Sequence, residues 1–110
     1  MISIATARKI ALSMPQSEER EHHKHPDFRV CGKIFATLAP GRPISVVKLT
    51  LADQGALLQS FPEAFSLNGW SQHGWTNVHL KQVSTAQFRD LVRKAWRLVA
   101  PAKLHELLDR

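Results

Sequence analysis

The strongest structural signal in this sequence is a one-sided apolar stripe over residues 85–99. Its members recur at the i, i+3, i+4 and i+7 spacing of an amphipathic helix: Phe88, Leu91, Val92, Ala95, Trp96 and Val99. Ser84 and Gln87 precede the stripe with the S-x-x-Q pattern of a capping box, and Pro101 follows it. The sequence therefore predicts a helix over Thr85–Val99 whose apolar side, Trp96 included, packs on a sheet.

The predicted sheet comes mainly from residues 18–49, where short apolar runs alternate with turn residues. The predicted strands are Phe28–Val30, Lys33–Leu38 and Ile44–Leu49, with the charged stretch Glu18–Lys24 as an edge strand. A further strand over Trp75–Leu80 alternates, with Thr76, Val78 and Leu80 on one face and Trp75, Asn77 and His79 on a wetter face.

Two more helices are predicted, over Ile4–Met14 and Thr50–Phe61, with a last helical turn or two over Ala102–Leu108. The length of 110 residues fits one domain over residues 1–110. The order of helix, several strands, helix, strand and helix predicts an α+β domain of two layers, a mainly antiparallel sheet packed against helices.

Turn chemistry predicts how the strands pair. A two-residue turn at Cys31-Gly32 pairs Val30 with Lys33 and Phe28 with Phe35. A type II turn over residues 39–42, with Pro40-Gly41 at its centre, pairs Thr37 with Ile44, Phe35 with Val46 and Lys33 with Lys48. Cross-strand partners share a face, so one apolar face is expected from Phe28, Val30, Phe35, Ile44 and Val46.

In that register Lys33 and Lys48 lie side by side at the end of the apolar face. Directly opposed like charges are unfavourable unless an anion or a carboxylate lies between them. A small-anion site at Lys33 and Lys48 is one interpretation. The other is that both side chains reach water, or that Glu19 or Glu21 neutralises them.

The charge balance suggests an acidic partner. Lys and Arg number 15 against 9 Asp and Glu, a net charge of +6, and residues 51–80 contain no Lys or Arg. A basic surface of this kind is typical of nucleic-acid binding. Two surfaces compete for that role. One is formed by the strand residues Arg29, Lys33, Arg42 and Lys48, where Trp75 either adds a stacking platform or packs in the core. The other is formed by the helix residues Arg89, Arg93 and Arg97, which also suit an ordinary solvated helix face.

Catalytic and metal-binding patterns are absent from the sequence. It has no glycine-rich phosphate loop, no G-x-S-x-G and no H-E-x-x-H, so we expect a non-enzymatic domain without catalytic residues or a cofactor. His22, His23 and His25 lack a fixed fourth ligand, so we expect no metal. With one cysteine, Cys31, and no long apolar run, we expect a cytoplasmic protein with no membrane partner.

Several segments carry a family resemblance. They are the run from His25 to Ala36, the pair Lys48-Leu49, the group Gly74, Trp75, Val78 and Leu80, and the run from Ala95 to Ala100. With these segments the chain resembles the MmcQ/YjbR family over about residues 5–105. Cys31 departs from the small or turn-forming residue usual before the Gly-Lys pair of this family.

The resemblance implies a compact double-wing domain and a role in binding DNA, with duplex DNA as the expected partner. It implies no catalytic residues. The fold also resembles that of small secretion chaperones, so the alternative is a module that binds a protein partner. Fold similarity alone is a weak argument for either function.

Overall fold

A six-stranded sheet forms one layer of the molecule and helices form the other. The computed structural model describes residues 1–39 and 41–109. The helices are α1 (Ile4–Leu12), α2 (Leu51–Ser60), α3 (Thr85–Val99) and α4 (His105–Leu108). The strands are β1 (Ser17–His22), β2 (His25–Val30), β3 (Lys33–Leu38), β4 (Ile44–Lys48), β5 (Phe65–Ser66) and β6 (Trp75–His79).

The strands run in the order β1-β2-β3-β4-β6-β5, and every neighbouring pair is antiparallel. This arrangement confirms the predicted α+β class, and β1 lies at the edge of the sheet as expected. Helix α3 packs against β3 and β4, and α1 packs beside it. We call the side of the sheet that α1 and α3 cover the core face, and the opposite side the outer face.

Helix α3 forms as its sequence predicts. The Ser84 hydroxyl accepts from the backbone of Gln87, and the Gln87 side chain accepts from the backbone of Ser84, completing the capping box. The buried residues of the helix are Phe88, Leu91, Val92, Ala95 and Trp96. Trp96 is 0 % exposed, and its Nε1 donates to the Pro15 carbonyl at 3.0 Å. The predicted packing of this stripe on the sheet is confirmed.

Two tight turns shape the first three strands. His23 and Lys24 join β1 to β2 with φ of 48° and 65°, and Cys31 and Gly32 join β2 to β3 with φ of 50° and 78°. Positive φ at both central residues is the geometry of the hairpin turn that suits twisted strands. The predicted hairpin at Cys31-Gly32 and its Val30–Lys33 pair are confirmed.

The predicted register beyond that pair is wrong at two points. A bulge shifts β3, so Phe28 pairs with Ala36 and not with Phe35. Between β3 and β4, Thr37 pairs with Val46 and not with Ile44. The predicted register would place Pro43 opposite Leu38, but proline has no backbone N–H to donate to a neighbouring strand. The connection therefore extends to Ile44, whose carbonyl accepts a hydrogen bond from the N–H of Ala39 at 3.0 Å. The predicted turn over residues 39–42 includes Pro40, which lies outside the described residues.

The corrected register changes which side chains share a face. Lys33 pairs with Val30, which is buried on the core face, whereas Lys48 pairs with Trp75 on the outer face. The prediction that these lysines lie side by side is wrong, and with it the small-anion site. The predicted common apolar face is also wrong: Phe28, Val30 and Phe35 are buried, but Ile44 and Val46 are partly exposed.

Strand β6 alternates as predicted. Thr76 and Val78 are buried on the core face, and Trp75, Asn77 and His79 are partly exposed on the outer face. The short strand β5 was not predicted, because two residues carry no periodic pattern. The described residues contain no helix long and apolar enough to cross a membrane.

A close backbone contact places the start of β6. Gly74 has φ of 92°, and a Cβ at this position would lie 2.0 Å from the Leu49 carbonyl oxygen. The carbonyl of Gly74 accepts from the N–H of Leu49 at 2.9 Å. Only glycine satisfies both constraints, so Gly74 determines where Trp75 enters the sheet.

We expect Trp96→Ala to lower the free energy of unfolding by about 3–5 kcal/mol, the usual cost of removing a buried tryptophan. Urea unfolding followed by circular dichroism measures the change. An exposed-site control, Leu12→Ala, should cost much less because Leu12 is partly open to solvent. Equal losses in the two variants would contradict the assignment of Trp96 to the core.

We expect Gly74→Ala to destabilise the fold by about 1–3 kcal/mol, because the added methyl group overlaps a backbone oxygen that cannot move freely. Gly55→Ala is the matched control, since Gly55 lies in α2 with open space around it. That substitution should stabilise the protein by about 0.5–1 kcal/mol through helix propensity. Thermal unfolding of both variants tests the opposite signs.

Candidate binding groove on the outer face of the sheet

The outer face of the sheet carries an open groove of about 480 Å³. Its lining comes from the β1–β2 hairpin tip, from the strands and from the loop before β6: His22, His23 and His25; Ile34, Thr37, Val46, Trp75 and Asn77; Asn68 and Trp70. Binding sites for small ligands usually enclose about 300–1,000 Å³, so the groove has room for a group of that size. We call this site the outer groove.

Trp75 lies on the sheet beside a lysine. It is half-buried and pairs across the strands with Lys48, whose Nζ lies 5.2 Å from the centroid of the indole ring. A cation at that distance over an aromatic face is attracted by the ring. The sequence left open whether Trp75 is a stacking platform or a core residue. Its ring lines the outer groove, and a positive charge is held beside it.

Trp70 projects from the loop between β5 and β6 and is 69 % exposed. The loop itself is held by hydrogen bonds. The Trp70 N–H donates to Asn68 Oδ1 at 2.7 Å, and the Asn68 N–H donates to Ser71 Oγ at 2.8 Å. The Ser71 hydroxyl donates in turn to the Trp75 carbonyl at 2.9 Å. Trp70 is therefore an exposed ring on an ordered loop.

Sequence reasoning assigned Trp70 no role. The signal that was present is its position between two turn pairs, Asn68-Gly69 and His73-Gly74. An aromatic residue between turn residues tends to lie on a surface loop, where large apolar side chains frequently serve binding. Residue spacing did not reveal that this loop faces the same groove as Trp75.

Side-chain amides attach the loop to the sheet. Asn68 Nδ2 donates to Asn77 Oδ1 at 2.9 Å, and Asn77 Nδ2 donates to Ser66 Oγ at 3.1 Å. Ser66 Oγ lies 2.9 Å from His79 Nε2 and completes the chain of contacts. These bonds use the polar groups at this end of the groove to hold its shape.

A buried glutamine supports the loop from the other layer. Gln54 of α2 donates from Nε2 to Thr76 Oγ1 at 2.9 Å and to the Ser71 carbonyl at 3.2 Å. An unsatisfied buried amide is costly, so the loop, β6 and α2 must keep their relative positions for Gln54 to remain paired.

An ion pair anchors the hairpin that carries the three histidines. Asp27 is 0 % exposed, and Arg29 donates to it twice, from Nε to Oδ1 at 2.8 Å and from Nη2 to Oδ2 at 3.0 Å. His22 Nδ1 lies 2.7 Å from Asp27 Oδ2. The hydrogen bonds from Arg29 hold the pKa of Asp27 below its usual value; burial opposes this shift and the contact with His22 adds to it.

The same contact gives Arg29 a structural role. The hydrogen bonds to Asp27 raise the pKa of the Arg29 guanidinium, which is paired with that buried carboxylate. In the structure Arg29 holds the hairpin through Asp27, and its phosphate contact stays a prediction.

The histidine rings lie close together at the hairpin tip. The His22 ring centroid is 6.0 Å from that of His25, in a stacked arrangement, and 6.0 Å from that of His23, edge to face. In the part of the chain that the structure describes, no three His, Cys, Asp or Glu side chains are arranged to hold a metal ion. That no metal binds stays a prediction.

The remaining predicted contact residues are dispersed. Lys33 is exposed beside the Cys31-Gly32 turn, and Arg42 is exposed in the connection at the other end of β3. Of the strand group, the structure brings only Lys48 and Trp75 together.

The arginines of α3 belong to the other layer. Arg93 donates from Nη2 to the Leu108 carbonyl at 3.4 Å, and Arg97 pairs with Asp109, so both hold the C-terminal segment. Arg89 is exposed on the same helix. Because α3 packs on the core face, this stripe is separated from the outer groove by the sheet.

Comparison with known proteins identifies the fold. A family model described as YjbR matches residues 12–98. The solved structures that resemble this one include the crystal structure of Deinococcus radiodurans protein DR2400, which has a DUF419 domain, with a TM-score of 0.80 at 20 % identity. The likeness covers 97 % of this chain and 88 % of that chain and, at this identity, shows the fold alone. No curated protein matches the sequence.

We expect Asp27→Asn to flatten the acid dependence of stability. Because the pKa of Asp27 is lowered in the folded state, its stabilisation is complete above the unfolded pKa and is lost as pH falls through the folded pKa. The variant should be less stable than the wild type at neutral pH, and the difference should shrink in acid. Urea unfolding from about pH 7 to about pH 3 measures it.

Asp90→Asn is the control for this pH series. Asp90 is an exposed partner of Lys94 on α3, and pairs of that kind contribute little to stability. Its curve should follow the wild-type curve. An Asp27→Asn curve parallel to the wild type at every pH would show that this carboxylate does not carry the acid dependence.

Proposed function

The chain belongs to the YjbR family, and we propose that it binds nucleic acid weakly, with little sequence preference and without enzymatic turnover. The contact surface is the outer groove and its rim. A free, exposed cysteine at Cys31 suits a reducing compartment, so a cytoplasmic location is part of the proposal.

One observation carries the proposal: two tryptophan rings and a lysine lie at the outer face of the sheet, opposite the face that α1 and α3 cover. Trp70 and Trp75 both line the outer groove, and the Lys48 ammonium lies over the Trp75 ring. Aromatic side chains on a sheet surface stack on bases at about 1–3 kcal/mol per base, and a neighbouring cation attracts the phosphate. The net charge of +6 adds a long-range attraction for a polyanion.

The outer face is a better candidate surface than the arginine stripe of α3. Two of the three stripe residues, Arg93 and Arg97, bond the C-terminal segment, and the two aromatic side chains of the helix, Phe88 and Trp96, are buried. On the sheet, Lys48 holds its charge next to Trp75, while Arg42 lies exposed in the connection after β3. Arg42 is suited to a phosphate farther along a bound strand, whereas Lys33, the first residue of β3, pairs with Val30 of the core face.

A protein partner is the alternative function. Leu67, in the loop beside Trp70, is 58 % exposed, and an apolar contact there would serve a protein ligand as well. The two functions differ in their salt dependence, because phosphate binding releases counterions and apolar docking does not.

We expect the affinity for a fluorescein-labelled oligonucleotide to fall as the salt concentration rises. If about three or four phosphates are neutralised, a plot of the logarithm of the association constant against the logarithm of the salt concentration should have a slope of about −3. Lys48→Ala should weaken binding and reduce the slope by roughly one unit. Lys103→Ala is the control, because Lys103 is an exposed lysine of the helical layer. Fluorescence anisotropy over a salt series measures both slopes.

Absence of binding to DNA and RNA at low salt would contradict the proposal and favour the protein-partner alternative. Equal effects of Lys48→Ala and Lys103→Ala would contradict the outer groove as the contact surface. A salt-independent affinity would exclude a phosphate contact altogether.

A further inference from the structure

We propose that the outer groove accepts unpaired bases, so that the domain binds single-stranded nucleic acid in preference to duplex. This inference rests on the proposed function and adds to it the form of the nucleic acid. It follows from which groups in the groove are already hydrogen-bonded and which faces are uncovered.

The polar groups at the loop end of the groove are committed to internal contacts. Both amides, Asn68 and Asn77, donate and accept within the loop and β6. His22 uses Nδ1 on Asp27. A base that enters the loop end of the groove therefore meets amide groups that are already bonded, which favours sequence-tolerant stacking over hydrogen-bond readout there.

The Trp70 ring, in contrast, remains available. Trp70 is largely exposed, and no ring contact joins it to another described residue. With the three histidines and Trp75, five ring side chains line the same groove. Planar rings of these types are the usual stacking partners of splayed-out bases.

The loop that carries Trp70 is ordered before any ligand arrives. Its Asn68, Ser71 and Gln54 contacts, together with the positive φ of Gly74, hold the backbone on both sides of the ring. Ordering a loop on binding costs affinity, so a ring held in advance by its own loop stacks on a base at a smaller entropic cost.

A duplex cannot use these faces. Its bases are stacked on their neighbours and paired at their edges, so only the sugar-phosphate backbone and groove edges reach a protein surface. An unpaired strand presents its bases, and Lys48 beside Trp75 offers a charge to its backbone. An exposed Trp70 ring and a cation beside the half-buried Trp75 ring therefore fit a single strand better than a duplex.

The test compares a labelled single strand of twelve thymidines with a twelve-base-pair duplex at one low salt concentration. We expect the single strand to bind about tenfold or more tightly, the scale of one stacked base. Binding should also quench tryptophan emission from Trp70 and Trp75, while Trp96, which is fully buried, continues to emit.

Trp70→Ala should reduce single-strand affinity about 5- to 100-fold and change duplex affinity less than about twofold. Trp70→Phe should restore most of the loss, because it keeps an aromatic face. Leu67→Ala is the matched control, an exposed residue of the same loop outside the groove lining. Both positions are exposed, so folding is expected to be retained, and circular dichroism checks it.

The outcomes separate the two proposals. Equal or tighter duplex binding, or single-strand affinity unchanged by Trp70→Ala, overturns the preference for unpaired bases and leaves nucleic-acid binding intact. Failure of both oligonucleotides to bind overturns both proposals. A preference for the single strand that is lost in Trp70→Ala and regained in Trp70→Phe supports the outer groove as the binding site.

Discussion

Burial of the α3 stripe against one face of the sheet is the constraint on which the rest of the structure depends. Phe88, Val92 and Trp96 pack on the strands, and α1 fills the space beside them. Because these helices occupy the core face alone, the other face of a six-stranded sheet is left without a helical cover. That open face is where Trp75, Val46 and Asn77 reach the surface and where a ligand has access.

The outer groove is maintained by polar contacts at both of its ends. At the hairpin end, Arg29 and His22 satisfy the buried carboxylate of Asp27, which would otherwise be costly to hide from water. At the loop end, Asn68 and Gln54 tie the Trp70 loop to β6 and α2. Each end places ring side chains in the groove, and the charged and amide groups behind them hold those rings in place.

Membership of the YjbR family accounts for the architecture without assigning a function to it. The similar crystal structure covers nearly the whole chain but shares 20 % of its residues, so its likeness extends to the backbone and the layers. The binding argument rests instead on side chains of this chain. Trp70, Trp75 and Lys48 supply aromatic faces and a charge, and the three histidines add further rings at the hairpin tip.

Local patterns determined most of the elements. The capping box at Ser84 and the alternation of β6 are short-range signals, and both appear in the structure at their predicted places. These patterns were readable because hydrogen bonds and burial repeat every few residues within one element. The hairpin at Cys31-Gly32 was readable because two short apolar runs flank a pair of residues that ends in glycine.

Tertiary structure alone decided the register and the site. The longer connection at Pro43 shifted β4 along β3, so that Lys48 does not lie opposite Lys33. The pairing of β4 with β6, on its other side, places Lys48 beside Trp75. The outer groove joins His22, Val46 and Trp70, which are far apart in sequence and meet only when the sheet and its loops close on one another. The sequence by itself determined that the chain is a basic α+β domain; which basic and aromatic side chains share a surface depended on the long-range pairing of its strands.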